Sequence, residues 1–291
     1  MLFTMFPVSL RRQLNGSKLS IIKLLVLCCL AVFLLPVEML AAENPSSDLQ
    51  FTQDEKSNDP VVRLWDDLWT LPEVILDESG EIISVEVNSF FLLAAGGASI
   101  AMHSNGTDKK IADNFDRHGI MNNDADKFVD FLGGPGFHFA ATGLWYLSSA
   151  GKQDFESNER SWTMLKALST NGAITLALKA IRNNKTPNGK NLAWPSGHTS
   201  SSFTAAAVLD EFYGPEIGIP AYIGAGFVGY RMMDTGDHWA SDVVFGGVLG
   251  YIVGHHFGAK HNDLQVGDFK VIPMASFDEN PGMGVGLYKK F

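Results

Sequence analysis

The stretch Trp194-Pro195-Ser196-Gly197-His198-Thr199-Ser200-Ser201-Ser202 and the apolar run behind it, to residue 212, decide how this chain is read. A Gly/Asn/Pro loop over 183–195 leads into it. Pro and Ser are favoured where helices begin, so a helix is expected over 199–212. The first N–H groups of a helix have no partner inside it and attract anions. Gly197 lets a ligand approach the backbone. His198 adds a titratable group that can donate a proton at the same spot.

Helical patterning extends outward on both sides. Downstream, helices are expected over 221–232 and 239–257. The second carries Gly246, Gly250, Gly254 and Gly258, one every four residues, a spacing that lets another helix backbone come close. His238 and Asp242 stand at i, i+4, where a carboxylate can hold an imidazole in one tautomer. That leaves the other ring nitrogen free as base or nucleophile. Arg231 adds a permanent cationic fork suited to phosphate. Upstream, a helix is expected over 162–182, with Met164, Leu165, Leu168, Ile174, Leu176, Leu178 and Ile181 as core candidates. Lys179, Arg182 and Lys185 follow at its end, with Thr186 next.

Further upstream, an apolar segment over 128–150 is interrupted by Gly133-Gly134-Pro135-Gly136. Residues 103–127 read as a polar loop. Residues 89–102 read as a short buried helix. Over 61–75, Trp65 and Trp69 at i, i+4 form a stripe expected to pack in the core, with Pro72 ending or bending the helix. No repeat and no second domain are visible. The expectation is an all-α domain over 61–262, with about six core helices and an irregular or short-stranded tail over 263–291.

Residues 179–187, 195–198 and 231–242 together resemble the three-part signature of the phosphatidic acid phosphatase type 2 superfamily, which also contains vanadium haloperoxidases. The family pattern is Lys, six residues, Arg-Pro; then Pro-Ser-Gly-His; then Ser-Arg, five residues, His, three residues, Asp. The middle part matches in full. Thr186 stands where the family has Arg, Tyr230 where it has Ser, and six residues separate Arg231 from His238. The resemblance implies a metal-independent phosphatase of phosphomonoesters or pyrophosphates, lipid-linked ones included. It implies His238 as nucleophile, Asp242 as its orienting carboxylate and His198 as proton donor to the leaving oxygen. Lys179, Ser196, Gly197 and Arg231 would hold the phosphate, with Lys185 or Arg182 in place of the absent Arg. The pocket would be locally positive. The alternatives on the same scaffold are a non-catalytic envelope protein and a vanadate-dependent peroxidase.

The 291 residues carry a formal charge of −10. The most apolar run, 21–35, follows Arg11, Arg12 and Lys18 and reads as an export signal, either cleaved after Ala42 or kept as an anchor. Cleavage would remove both cysteines, Cys28 and Cys29. It would also remove four cations and one acid, leaving 249 residues at −13. A flexible leader over 43–60 follows. The expected location is the periplasm or the periplasmic face of the inner membrane. So acidic a chain is not a nucleic-acid binder. His255, His256 and His261 are expected at helix ends or on the surface, with no metal centre and no cofactor.

Overall fold

A computed structural model describes residues 59–120, 123–262, 265–266, 269–276 and 282–288. The apolar run over 21–35 and the leader over 43–58 lie outside the described residues. The helices are α1 (Pro60–Ser84), α2 (Glu86–Ser104), α3 (Thr107–His118), α4 (Asn123–Gly133), α5 (Pro135–Gly151), α6 (Phe155–Arg182), α7 (Gly197–Tyr213), α8 (Pro215–Asp234) and α9 (Ala240–Asn262). The all-α expectation holds for this domain, with nine helices among the described residues instead of about six. In the stretch expected as an irregular or short-stranded tail, β1 (Gln265–Val266), β2 (Phe269–Ser276) and β3 (Gly282–Tyr288) form an antiparallel sheet in the order β1-β2-β3.

The glycine row works as its spacing implies. α9 packs along α7 with backbone nearly touching backbone. A Cβ on Gly246 would lie 2.7 Å from the Ser196 carbonyl oxygen. One on Gly250 or Gly254 would strike the carbonyls of Ser200 or Thr204. Around this pair Ile82, Leu168, Val208, Phe245, Leu249 and Val253 make the buried core. Asp154 caps α6 by accepting from the Ser157 N–H, and Ser196 caps α7 by accepting from the Thr199 N–H.

Several expectations fail upstream. The polar stretch over 103–127 is not a loop: it holds α3 and the start of α4. Asp108 explains the ordering of α3. It is buried and accepts from both the backbone N–H and the hydroxyl of Ser241, at 3.0 and 2.6 Å, so α3 is anchored on the start of α9. α1 runs through Pro72, held by buried Leu71 and Ile82 on either side. Trp65 and Trp69 meet edge to face, but they are exposed and outside the core, as are Leu176 and Ile181 of α6, which were expected in it. α2 is not fully buried either: Phe90, Phe91, Leu93 and Ile100 face outward. No single described helix is long and apolar enough to cross a membrane; the α1–α2 pair, bent by 86°, passes that test only jointly.

Candidate active site

α6 and α8 end where α7 and α9 begin, and the three signature segments meet there, tied by bonds such as Asn188 N–H to Gly236 O and Ser196 N–H to Asp242 O. Lys179, in the last turn of α6, donates to the carbonyls of Leu192 (2.5 Å) and Ala193 (3.2 Å). These contacts fold the following loop back over the helix end. The loop enters α7 through a cis Trp194–Pro195 bond. Ser196 is fully buried; its N–H donates to the Asp242 carbonyl at 3.1 Å, which ties the start of α7 to the start of α9. A Cβ on Gly197 would lie 3.8 Å from Lys179 Cε, so that glycine leaves the lysine uncovered on this side.

His238 sits just before α9, and its backbone N–H donates to Met232 O at 2.9 Å. Its Nδ1 faces Asp242 Oδ2 at 3.4 Å, and the same oxygen accepts from the Trp239 N–H at 3.0 Å. Asp242 is fully buried, and its Oδ1 has no hydrogen-bond partner among the described residues. The hydrogen bonds of this carboxylate among the described residues therefore all run through the oxygen that faces the imidazole. Burial pushes His238 below the ordinary histidine value of 6.5 and outweighs the opposing pull of Asp242. His198, on the first turn of α7, is also lowered by burial, against the pull of Asp130. Burial brings the Lys179 ammonium down to about 8.

The extra residue between Arg231 and His238 is absorbed in a turn. Gly236 takes a left-handed φ of 68°, which only glycine adopts readily. Asp237 then points back and binds Arg231 Nη1 at 2.8 Å. Asp237 is the hub of this corner: it also takes Lys190 at 2.6 Å and Asn188 Nδ2 at 2.8 Å. Although burial opposes it, these partners hold its carboxyl down to about 2.

Thr186 supplies no charge at this corner. It is buried, and its hydroxyl pairs with Asn188 Oδ1 and receives the Lys190 N–H at 2.9 Å, so it shapes the loop. The two cations expected to replace the missing Arg do not gather at the site. Arg182 lies over the Trp194 ring, 5.1 Å from its centroid. Lys185 is exposed, and its backbone carbonyl receives the Trp239 indole N–H. Lys190 is the cation this loop sends to the corner.

The pocket is not the positive one expected from the sequence. Arg231 is buried and surrounded by Asp126 (2.6 Å), Asp130 (2.8 Å) and Asp237. With Asp242, four carboxylates face Lys179, Lys190 and Arg231. Sequence reasoning missed Asp126 and Asp130 because α4 spans the join between a stretch read as a polar loop and an apolar segment broken by glycines. It also left His138 unassigned. That residue bonds Ser201 Oγ at 3.1 Å, and burial together with the nearby His198 charge holds it down to about 4.

The histidines near the end of α9 lie apart from this centre. Carboxylates missed in the sequence do reach one of them: Glu78 and Glu81 of α1 and His256 bring ligand atoms within 4.8 Å of one another, a grouping that could hold a metal ion. Lys260 Nζ already bridges both glutamates at 2.7–3.1 Å.

Comparison with known proteins agrees with the geometry. The family model described as the PAP2 superfamily matches residues 145–264. A lipid A 1-phosphatase of Porphyromonas gingivalis is 37% identical over 65 residues, 21% of this chain and 15% of that protein. The chain therefore spans only a small part of that relative. The crystal structure of a transmembrane PAP2-type phosphatidylglycerolphosphate phosphatase from Bacillus subtilis superposes with a TM-score of 0.54 at 18% identity, covering 61% of this chain and 96% of that one. Aquifex aeolicus LpxE gives a TM-score of 0.42 at 21% identity, over 51% of this chain and 93% of that one. Residues 145–264, which carry all three signature segments, are thus similar to the PAP2 superfamily.

Proposed function

We propose that this chain is a phosphatase that cleaves a phosphomonoester or pyrophosphate of a lipid-linked substrate through a phospho-histidine on His238. The observation that carries the reading is the buried His238–Asp242 pair, set beside Lys179, His198 and Arg231 at one end of the bundle. With Nδ1–H donated to Asp242, His238 presents Nε2 as the nucleophile. Its attack forms an N–P bond and breaks the P–O bond to the leaving group, whose oxygen takes a proton from His198. Water then attacks the phosphorus and gives its proton back to His198, the N–P bond breaks, and phosphate leaves. Lys179, Arg231 and the first N–H groups of α7 stabilise the charge that develops on the phosphoryl oxygens.

A lipid-linked substrate is supported by a groove of 1130 Å³. Its walls are largely apolar and include Phe91, Phe203, Tyr222 and Ile252. Gly229 lines it too, and a Cβ there would lie 3.5 Å from Thr199, so one end of the groove borders the first turn of α7. Metal-independence and action at the outer face of the inner membrane belong to the same reading.

The test is a rapid acid-free quench of the full chain with ³²P-labelled substrate. The wild type should retain alkali-stable, acid-labile label, and His238→Ala should lose both label and turnover. Full turnover by purified His238→Ala would refute the mechanism, and loss of turnover in EDTA would refute metal-independence.

A further inference from the structure

The geometry points to Asp130, assisted by Asp126, as a group that holds the phosphate's place in the resting site. Substrate then binds by exchanging phosphate oxygens for these carboxylates on Arg231. The inference rests on the phosphatase reading above. One oxygen, Asp130 Oδ1, lies 2.8 Å from Arg231 Nη1 and 3.4 Å from His198 Nε2. It therefore touches both the cation and the imidazole assigned to the phosphate. Asp126 Oδ1 takes Arg231 Nε at 2.6 Å. Carboxylate and phosphate oxygens accept from the same guanidinium N–H groups, so a phosphate seated on Nε and Nη1 must displace the carboxylates there.

The three aspartates on Arg231 are not alike. Asp237 is 18% exposed and fixed by Lys190, Asn188 and the Thr235 hydroxyl. It belongs to the permanent frame. Asp130 is 47% exposed and sits on α4, a helix with little else to hold it. Phe128 and Phe131 of α4 are 63% and 64% exposed. Only Gly133, at its end, is fully buried among its described residues. An ion pair with one half-exposed partner is screened by water and exchanges at small cost. A phosphate dianion carries more charge than one carboxylate and displaces it from both Arg231 and His198. Substrate affinity is thus set by competition inside the protein, and the two aspartates of α4 determine it.

The test measures inorganic phosphate binding to the full chain by calorimetry, together with its inhibition constant against hydrolysis. Asp130→Asn keeps shape and removes charge. It should tighten phosphate roughly tenfold and lower KM in parallel, and Asp126→Asn should act in the same direction. Asp124→Asn removes the same charge from an exposed position of α4 and should change both values by less than about twofold, which separates exchange at Arg231 from a general gain of positive potential. Unchanged or weaker phosphate binding in Asp130→Asn, with an active wild type, overturns the inference and makes Asp130 a residue that orients His198. A wild type and an Asp130→Asn variant that both fail to bind phosphate and to hydrolyse esters overturn the phosphatase reading along with it.

Discussion

At the scale of single residues, burial decides the working pH. In the proposed reaction His238, as nucleophile, must be neutral, so activity should rise as pH climbs through its pKa. His198, the proposed proton donor, must be charged, so activity should fall as pH climbs through its own. Burial moves both below 6.5. The kcat/KM profile is therefore bell-shaped, with its maximum on the acid side of 6.5. Lys179 stays charged up to about pH 8 and does not limit that range. Stopped assays from pH 4 to 9 measure the curve; a maximum above 7.5 would contradict these assignments. Lys179, His198, Arg231, His238 and Asp242 were all legible in the sequence, because a fixed spacing between unlike chemical groups survives without knowledge of the fold. Asp108, Asp126, Asp130 and His138 were not. Each reaches the centre from a segment whose own pattern is polar or broken by glycine, and only tertiary packing brings it there. Asp237 lay next to His238 in plain view, but its role depends on the left-handed Gly236 that turns it back onto Arg231.

At the scale of elements, α9 is defined by which of its glycines touch backbone. Gly250 faces the Ser200 carbonyl, where an added Cβ has no room. Gly247, three residues earlier, has only the flexible Phe203 ring near it, at 3.5 Å. The two alanine substitutions should therefore have opposite signs. Gly250→Ala should destabilise by about 1–3 kcal/mol, because α7 and α9 must separate. Gly247→Ala should stabilise by about 0.5–1 kcal/mol, through lost freedom of the unfolded chain. Urea unfolding of both variants checks this; two changes of the same sign would mean that the α7–α9 contact is looser than described. The four-residue glycine period made this packing readable beforehand. The helices that escaped notice are α3, whose short apolar stripe (Ile111, Ala112, Phe115) is set among charged residues, and α4, which straddles the join between that polar stretch and the apolar segment from 128. α3 is ordered instead by one buried carboxylate, Asp108, which caps another element.

At the scale of the whole molecule, the position of the apolar groove relative to the phosphate site should fix substrate length. The groove is lined from Gly229 and Val243, next to Thr199 in the first turn of α7, to His256 and Lys260 near the far end of α9. A substrate with a long apolar tail can seat phosphate and tail together, whereas a short ester uses only the first end. Gly226 lines the groove, and a Cβ there meets nothing within 4 Å. Gly226→Leu therefore fills the channel without disturbing the helices around it. For a long-chain lipid phosphate kcat/KM should fall by about tenfold or more, the scale on which hydrophobic pockets discriminate chain groups. For a small soluble ester such as p-nitrophenyl phosphate the same variant should stay within about twofold of the wild type, since Lys179, His198, Arg231 and His238 are untouched. The ratio of the two activities is the measurement, and it cancels differences in active fraction between preparations. Equal losses on both substrates would show that the groove supports the fold and not the lipid. No loss on either would send the acyl chains to another face, of which the exposed row Phe90, Leu93 and Ile100 on α2 is the next to test.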